Sequence, residues 1–349
     1  MNYIYDLNLA DLETLVVEMG YKKYKALQIF KWLYQKRITD FSLMSDVKKE
    51  MIEALKAEYI IDTLELVTVQ VAKDKTTKFL FKLADGHHIE TVLMYFDYGI
   101  SACISTQVGC NMGCTFCASG LLKKKRNLRC AEIVNQLVNV QKYLDQQNER
   151  LDNIVVMGIG EPFDNYDNIM KALGIINHPH SLAIGARHIS VSTCGLAPMI
   201  KRFAKENVQY NLAISLHAPN DELRSKLMPI NRSFNLEKLF EALREYSASN
   251  NRRLTFEYLL LEDVNDHEKE ADELAHLLKG MNAYINLIPY NSVKEKELKS
   301  SSNARSLAFY DMLKKRHVQV TLRQKKGDDI DAACGQLRAE YEKVKNEVL

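Results

Sequence analysis

Glycine and proline are scarce in this 349-residue chain, at 14 and 6 residues, and tryptophan occurs once. So little of both argues against long disordered linkers and excludes a collagen-like repeat. No internal repeat of fixed period runs through the sequence. No apolar run approaches the roughly 20 residues that span a bilayer, so a membrane partner is not expected. The N-terminal stretch Met1-Asn2-Tyr3-Ile4-Tyr5-Asp6 lacks the basic region and apolar core of a secretory signal, and the chain is expected to be cytoplasmic. Charge of one sign is lacking too, and a net charge of +2 says nothing by itself about nucleic acid. The remainder, 46% hydrophobic and 26% charged, is the composition of a globular enzyme, long enough for one large domain with appendages.

Cysteine is present in an odd number: Cys103, Cys110, Cys114, Cys117, Cys130, Cys194 and Cys334. In a reducing compartment that count points to metal or catalytic roles and not to a disulfide framework. Three are spaced Cys110-x3-Cys114-x2-Cys117, with the aromatic Phe116 before the last. Paired CxxC knuckles are missing and no histidine follows at ligand spacing, which argues against zinc. Iron–sulfur clusters normally take four thiolates, so a group of three leaves one iron of a 4Fe–4S cluster open. This spacing resembles that of radical S-adenosylmethionine enzymes. The resemblance implies that Cys110, Cys114 and Cys117 ligate the cluster and that its free iron chelates the methionine end of S-adenosylmethionine. One electron then cleaves the sulfonium to a 5′-deoxyadenosyl radical. A plain electron-transfer protein would instead need a fourth ligand, with Cys103 and Cys130 the candidates.

Residues 7–60 read as helical. Asp6 or Asn8 caps a helix running to Met19. Tyr24–Arg37 carries Leu27, Phe30, Leu33 and Tyr34 at helical spacing, with Trp32 expected in the core, and Val47, Met51, Ala54 and Leu55 mark a third stretch over 41–58. Strands follow over Leu64–Ala72, Lys78–Leu83 and Ile89–Tyr95, with a turn at Asp85-Gly86. From residue 101 strands alternate with amphipathic stretches. The strands are Ala102–Thr106, Asn153–Met157, His188–Ser192, Asn211–Ser215, Leu254–Leu260 and Ala283–Ile288, with His317–Leu322 last. Between them lie Ala131–Leu144, Asn168–Ile176, Leu236–Ser247, Glu268–Leu278 and Ala304–Lys315. Six βα units imply an α/β fold with a parallel sheet and helices outside. We read a partial (βα)6 TIM-type barrel with a small N-terminal helical domain, and an open doubly wound sheet fits the alternation equally well. In a barrel the active site lies at the C-terminal strand ends, where the cysteine loop follows the first strand.

Several polar motifs fall at those ends. Met157-Gly158-Ile159-Gly160-Glu161-Pro162 follows the second strand; its glycines let the backbone approach a ligand, and Glu161 suits an ammonium group. Ser192 ends the third strand, Ser215-Leu216-His217 the fourth, and Pro289-Tyr290-Asn291 follows the sixth. Each alone is a cap or turn; four on one rim make a site. The basic runs Lys22-Lys23-Tyr24-Lys25 and Lys123-Lys124-Lys125-Arg126-Asn127-Leu128-Arg129 are either solvated faces or phosphate contacts of an entrance.

Five segments together resemble the RlmN/Cfr family of radical enzymes that methylate adenine in RNA. They are Cys103–Cys110, Gly158–Pro162, Ser215-Leu216-His217-Ala218-Pro219-Asn220, Met228-Pro229-Ile230-Asn231 and Gly327–Leu337. The resemblance covers nearly the whole chain and is strongest to the RlmN branch, which methylates C2 of adenine 2503 in 23S rRNA and of adenine 37 in tRNA. The Cfr branch, methylating C8 of the same rRNA base, is the alternative. The resemblance implies that Gly160, Glu161, Ser192, Ser215, Leu216, His217 and Asn291 surround S-adenosylmethionine. It makes Cys334 the S-methylated cysteine, Cys103 its resolving partner and Glu90 the general base. It also implies an electron donor such as a flavodoxin or ferredoxin. The expected division is 1–62 helical accessory domain, 63–95 strand extension carrying Glu90, 96–329 radical core, and 330–349 C-terminal segment carrying Cys334.

The implied chemistry accounts for two further cysteines. Carbon 2 of adenine is electron-poor and does not attack a methyl sulfonium, whereas a thiolate does. A methyl group on Cys334 can give up hydrogen to the deoxyadenosyl radical and add to the ring. Loss of the C2 proton to Glu90 and attack of Cys103 on the Cys334 sulfur then free the product and leave a disulfide. That bond needs the two Cα atoms within about 7 Å, so the C-terminal tail must fold back over the barrel mouth. Cys130 and Cys194 are left structural.

Overall fold

The computed structural model describes residues 2–61, 64–250, 252–293, 296–323, 326–327, 330 and 335–347. Cys334 lies outside these residues.

Three helices lead: α1 (Leu9–Glu18), α2 (Tyr24–Tyr34) and α3 (Lys49–Glu58). Asn8 and Asp11 cap α1 reciprocally, each side chain accepting the other's backbone N–H. Asp6 does a different job. It accepts the Ala131 N–H at 2.8 Å and so serves the helix that follows the cysteine loop. On α2 the buried stripe is Ala26, Ile29, Phe30, Leu33 and Tyr34. Leu27 and Trp32 flank it half-buried, and the Trp32 indole N–H donates to Asp46.

A ten-stranded sheet forms the body. Antiparallel β1 (Leu64–Val71), β2 (Thr77–Leu83) and β3 (His88–Phe96) lead into β4 (Gly99–Cys103). From β4 onward every pairing is parallel: β5 (Asn153–Val156), β6 (Ile189–Thr193), β7 (Asn211–Ser215), β8 (Leu254–Leu260), β9 (Ala283–Pro289) and β10 (Val320–Leu322). The strands sit side by side in chain order without reversal. A doubly wound sheet reverses at a switch point, so the barrel reading is the one that holds. Helices α4 (Cys130–Asp145), α5 (Tyr166–Asn177), α6 (Ala197–Ala204), α7 (Asp221–Leu227), α8 (Leu236–Ser249), α9 (Glu268–Leu277) and α10 (Asn303–Lys315) make the crossovers, and α11 (Gln336–Glu347) closes the chain.

The first barrel strand ends at Cys103, three residues before the expected Thr106. Its ladder with β3 closes at the Val92–Cys103 pair. Beyond it Ser105 turns the chain, its hydroxyl donating to Glu90 O at 2.6 Å and accepting the Ile159 N–H. One apolar core runs from Ile4 and Phe30 through α4 to Val156, Val191, Ile214 and Phe256 of the barrel, so the N-terminal helices share their packing with the strands. Cys130 belongs to that core, its thiol donating to Tyr5 O. No helix among the described residues is long and apolar enough to cross a membrane.

Candidate active site

A cavity of about 360 Å³ sits between the C-terminal ends of the barrel strands. Into it face Cys103, Cys110, Cys114, Cys117, Gly160, Glu161, Ser192, Ser215, His217 and Asn291, which the sequence had scattered over 189 positions. Leu216 does not join them through its side chain, which is fully buried in the core. Its N–H donates to Glu257 O and its carbonyl accepts from Arg224. Cys130 is absent from the lining, which removes it as a fourth cluster ligand.

The rim is locked by side chains bonding to backbone. Gln107 accepts the Glu161 N–H through its carbonyl oxygen and donates to Asp164 and Asn127. Asn165 donates to the carbonyls of Thr106 and Leu128. The two glycines before Glu161 are explained by this clamp and less by a ligand. A Cβ on Gly158 would stand 2.6 Å from Ile104 O, and one on Gly160, at φ +111°, 2.6 Å from Thr106 Oγ1. The cysteine loop is held by Thr115 N–H to Leu227 O, by Tyr290 O–H to Phe116 O, and by Cys110 N–H to Leu122 O.

Arg224 is the hub that sequence reading passed over. Fully buried, it donates to the carbonyls of Cys194, Ser215 and Leu216 and to Asn231 Oδ1. One guanidinium thus fixes the loops after β6 and β7. The signal was present but faint: it precedes the Met228–Asn231 motif by four residues, and a basic residue in a short polar helix reads as surface.

Burial pushes the Cys110 thiol up to about 12 and the Cys114 thiol further, with neighbouring thiols adding repulsion. Thiols in such a place become thiolates only beside strong positive charge, which a metal centre supplies. Their sulfurs do not all lie within 4.8 Å of one another, the crowding a single ion requires. A cluster whose irons each take one thiolate spaces its ligands more widely, so the donor set fits a cluster. Burial also raises Glu161, although it accepts the N–H groups of Cys194 and Phe163; an ammonium group would restore its charge. His217 is pushed down to about 3, by burial first and the Arg224 charge second. Its Nδ1 accepts the Leu259 N–H at 3.1 Å, so the neutral ring carries its proton on Nε2, with Phe116 edge-on at 4.7 Å.

Glu90 lies just outside this cavity and is fully engaged. Lys78 Nζ stands 3.0 Å from its Oε2, and both side chains are buried. The N–H groups of Gly335 and Arg338 donate to the same carboxylate, each at 2.7 Å. Glu90 therefore caps the start of α11, which also packs Tyr341 on His88. Gly335, the residue after Cys334, packs so closely on the cysteine loop that a Cβ there would lie 3.1 Å from Ser119 N. The start of α11 thus lies against the cysteine loop and β3. No disulfide joins the described cysteines.

The basic run after the cysteine loop is partly consumed by ion pairs. Lys124 pairs with Asp164 and Arg126 with Glu132 and Asp85, whereas Lys123 and Lys125 are exposed. In the other run Lys23 pairs with Glu13.

A three-thiol loop at the strand ends of an unclosed barrel defines a radical S-adenosylmethionine type of site, and comparison with known proteins agrees. Residues 104–275 match the radical SAM superfamily, and residues 2–61 match the ribosomal RNA large subunit methyltransferase N-terminal domain. A probable dual-specificity RNA methyltransferase RlmN from Listeria monocytogenes is 57% identical over 96% of this chain and 93% of its own length. One from Streptococcus suis is 55% identical over 96% and 92%. A radical SAM methyltransferase from Sphaerobacter thermophilus superposes with a TM-score of 0.93 at 42% identity, covering 96% of this chain and 99% of that one. The chain belongs to the RlmN family of radical SAM RNA methyltransferases.

Proposed function

We propose that the protein forms 2-methyladenine in 23S rRNA at adenine 2503 and in tRNA at adenine 37, using a 4Fe–4S cluster and S-adenosylmethionine. The observation that supports this reading is the meeting of the three-cysteine loop and Cys103 at one cavity, with Gly335, the residue after Cys334, packed on the cysteine loop beside it. When bound, the cluster and S-adenosylmethionine supply the methyl group and the radical that activates it. Cys110, Cys114 and Cys117 hold the cluster. Glu161 receives the ammonium group of S-adenosylmethionine. Ser192 and Ser215, their hydroxyls 3.5 Å apart, face its ribose with Asn291, and His217 donates from Nε2. Gly160 and Leu216 take part through backbone.

Cys334 accepts the methyl group on sulfur. Glu90 takes the C2 proton, and to do so its carboxylate must let go of the α11 N-terminus. With the adduct's unpaired electron returned to the cluster, the Cys103 thiolate would attack the Cys334 sulfur; the sulfur–carbon bonding pair would stay on the methylene carbon, which takes up a proton to become the methyl group, and a transient disulfide would remain for external two-electron reduction. A flavodoxin or ferredoxin donates the electron in the cytoplasm. The chain divides functionally at the boundaries given above, residues 1–62, 63–95, 96–329 and 330–349.

The test uses Cys103→Ala. This variant should still be methylated at Cys334 and attack RNA, then stall with RNA attached through a methylene bridge. Denaturing electrophoresis should show a shifted, ribonuclease-sensitive band, and wild-type product should digest to 2-methyladenosine, not the 8-methyl isomer. Normal turnover by Cys103→Ala without the band would overturn the two-cysteine mechanism.

A further inference from the structure

The barrel lumen has a second end. A larger cavity of about 960 Å³ opens at the N-terminal ends of the same strands. It shares Val155, Met157, Glu257, Arg323 and Lys326 with the cavity above, so the two meet inside the barrel. Strand alternation explains the arrangement. Ser190 of β6 faces the lower cavity and Ser192 the upper; Thr255 of β8 faces the lower, Leu259 the upper, and Glu257 both.

The lower lining is rich in positive charge. Arg187, Arg253, Lys314 and Arg323 contribute, and among the described residues none is in a salt bridge with a carboxylate, whereas Lys326 pairs with Asp74. Arg253 lies over the Tyr284 ring at 4.3 Å and donates to Gln319, and Arg323 lies over Phe96 near the buried Glu257. The carboxylates on the lining are Asp97 and Glu257, and Glu257 is buried with Asn286 donating to it. This contrasts with Lys124 and Arg126 of the basic run, both tied to acidic partners. At the mouth, the turn between β3 and β4 presents Phe96 and Tyr98 stacked at 4.9 Å and 7°, with Tyr98 72% exposed. Unpaired cations beside an exposed aromatic platform are the make-up of a single-stranded nucleic-acid site, where cations track phosphates and rings stack on bases.

We propose that this lower cavity is where single-stranded RNA docks, so that the target base enters from the N-terminal end of the barrel and S-adenosylmethionine from the other. The proposal rests on the reading of RNA as substrate. Arg187 and Arg253 contact phosphate, and Tyr98 stacks on a base flanking the target.

The experiment is fluorescence anisotropy with a labelled tRNA anticodon stem-loop across a salt series, using the full chain. Arg187→Gln/Arg253→Gln should bind at least about tenfold more weakly, with a log–log salt slope shallower by about 1.4, since each single-strand phosphate contact contributes about 0.7. Tyr98→Ala should lose about tenfold with the slope unchanged, because stacking carries no counterion term. Circular dichroism melts confirm that both variants fold. If wild type binds and methylates RNA while both variants match its Kd and slope, this docking face is overturned and the methyltransferase reading stands. If wild type neither binds nor methylates RNA, both fall together.

Discussion

Lys78→Met probes the buried contact that anchors the C-terminal segment. The ammonium lies 3.0 Å from Glu90 Oε2, and the two side chains are 0% and 3% exposed. Removing one member of a buried ion pair strands the other charge, at a cost of about 3–5 kcal/mol. Glu90 would keep two amide donors, from Gly335 and Arg338, each a charge-assisted bond of roughly 1.5–3 kcal/mol. The expected loss is therefore at the lower end, about 3 kcal/mol in urea denaturation followed by circular dichroism. Adding Glu90→Gln to Lys78→Met removes the stranded charge and should recover part of that loss. The double-mutant cycle should return a coupling of about 2 kcal/mol. If Lys78→Met unfolds within about 0.5 kcal/mol of wild type, Glu90 is not held by this contact and the argument from a stranded buried charge collapses.

Alanine at any of Cys110, Cys114 or Cys117 should abolish stable cluster loading under anaerobic reconstitution, read as iron content and visible absorbance; a triple variant that still takes up a full cluster would refute the ligand assignment. Gly160→Ala places a Cβ 2.6 Å from Thr106 Oγ1 at φ +111° and should cost about 1–3 kcal/mol, with a lowered melting temperature as the measurement. Arg224→Lys leaves at least one of the buried carbonyls of Cys194, Ser215 and Leu216 without a donor, so a loss of at least about 1 kcal/mol is expected. Calorimetry should show weaker S-adenosylmethionine binding by the loosened rim, and an unchanged Kd would argue against the hub.

Periodicity located the parallel strands as short apolar segments recurring between amphipathic stretches, as in Asn153–Val156 (NIVV) and Asn211–Ser215 (NLAIS). It could not choose between barrel and doubly wound sheet, since strand order is a long-range property that alternation does not encode. Helices α6, α7 and α11 escaped for local reasons. The first two span eight and seven residues, too short for a repeating stripe, and α11, QLRAEYEKVKNE, is strongly polar. Most of the cavity lining was legible because functional groups stood at strand ends. Glu90 was legible only through its motif, and its engagement with Lys78 and α11 joins positions 78, 90 and 335, which no local pattern links. Leu216 was assigned by motif alone, and the motif does not distinguish a side-chain contact from a backbone one.

The packing of Gly335 on Ser119 ties the strand extension to the rim of the cavity. Glu90 stands on β3, and by accepting the Gly335 and Arg338 N–H groups it holds the start of α11 against the loop that carries Cys110, Cys114 and Cys117. Lifting that helix away from the loop breaks two hydrogen bonds to a single buried carboxylate at once, so the extension, the helix and the cysteine loop behave as one mechanical unit.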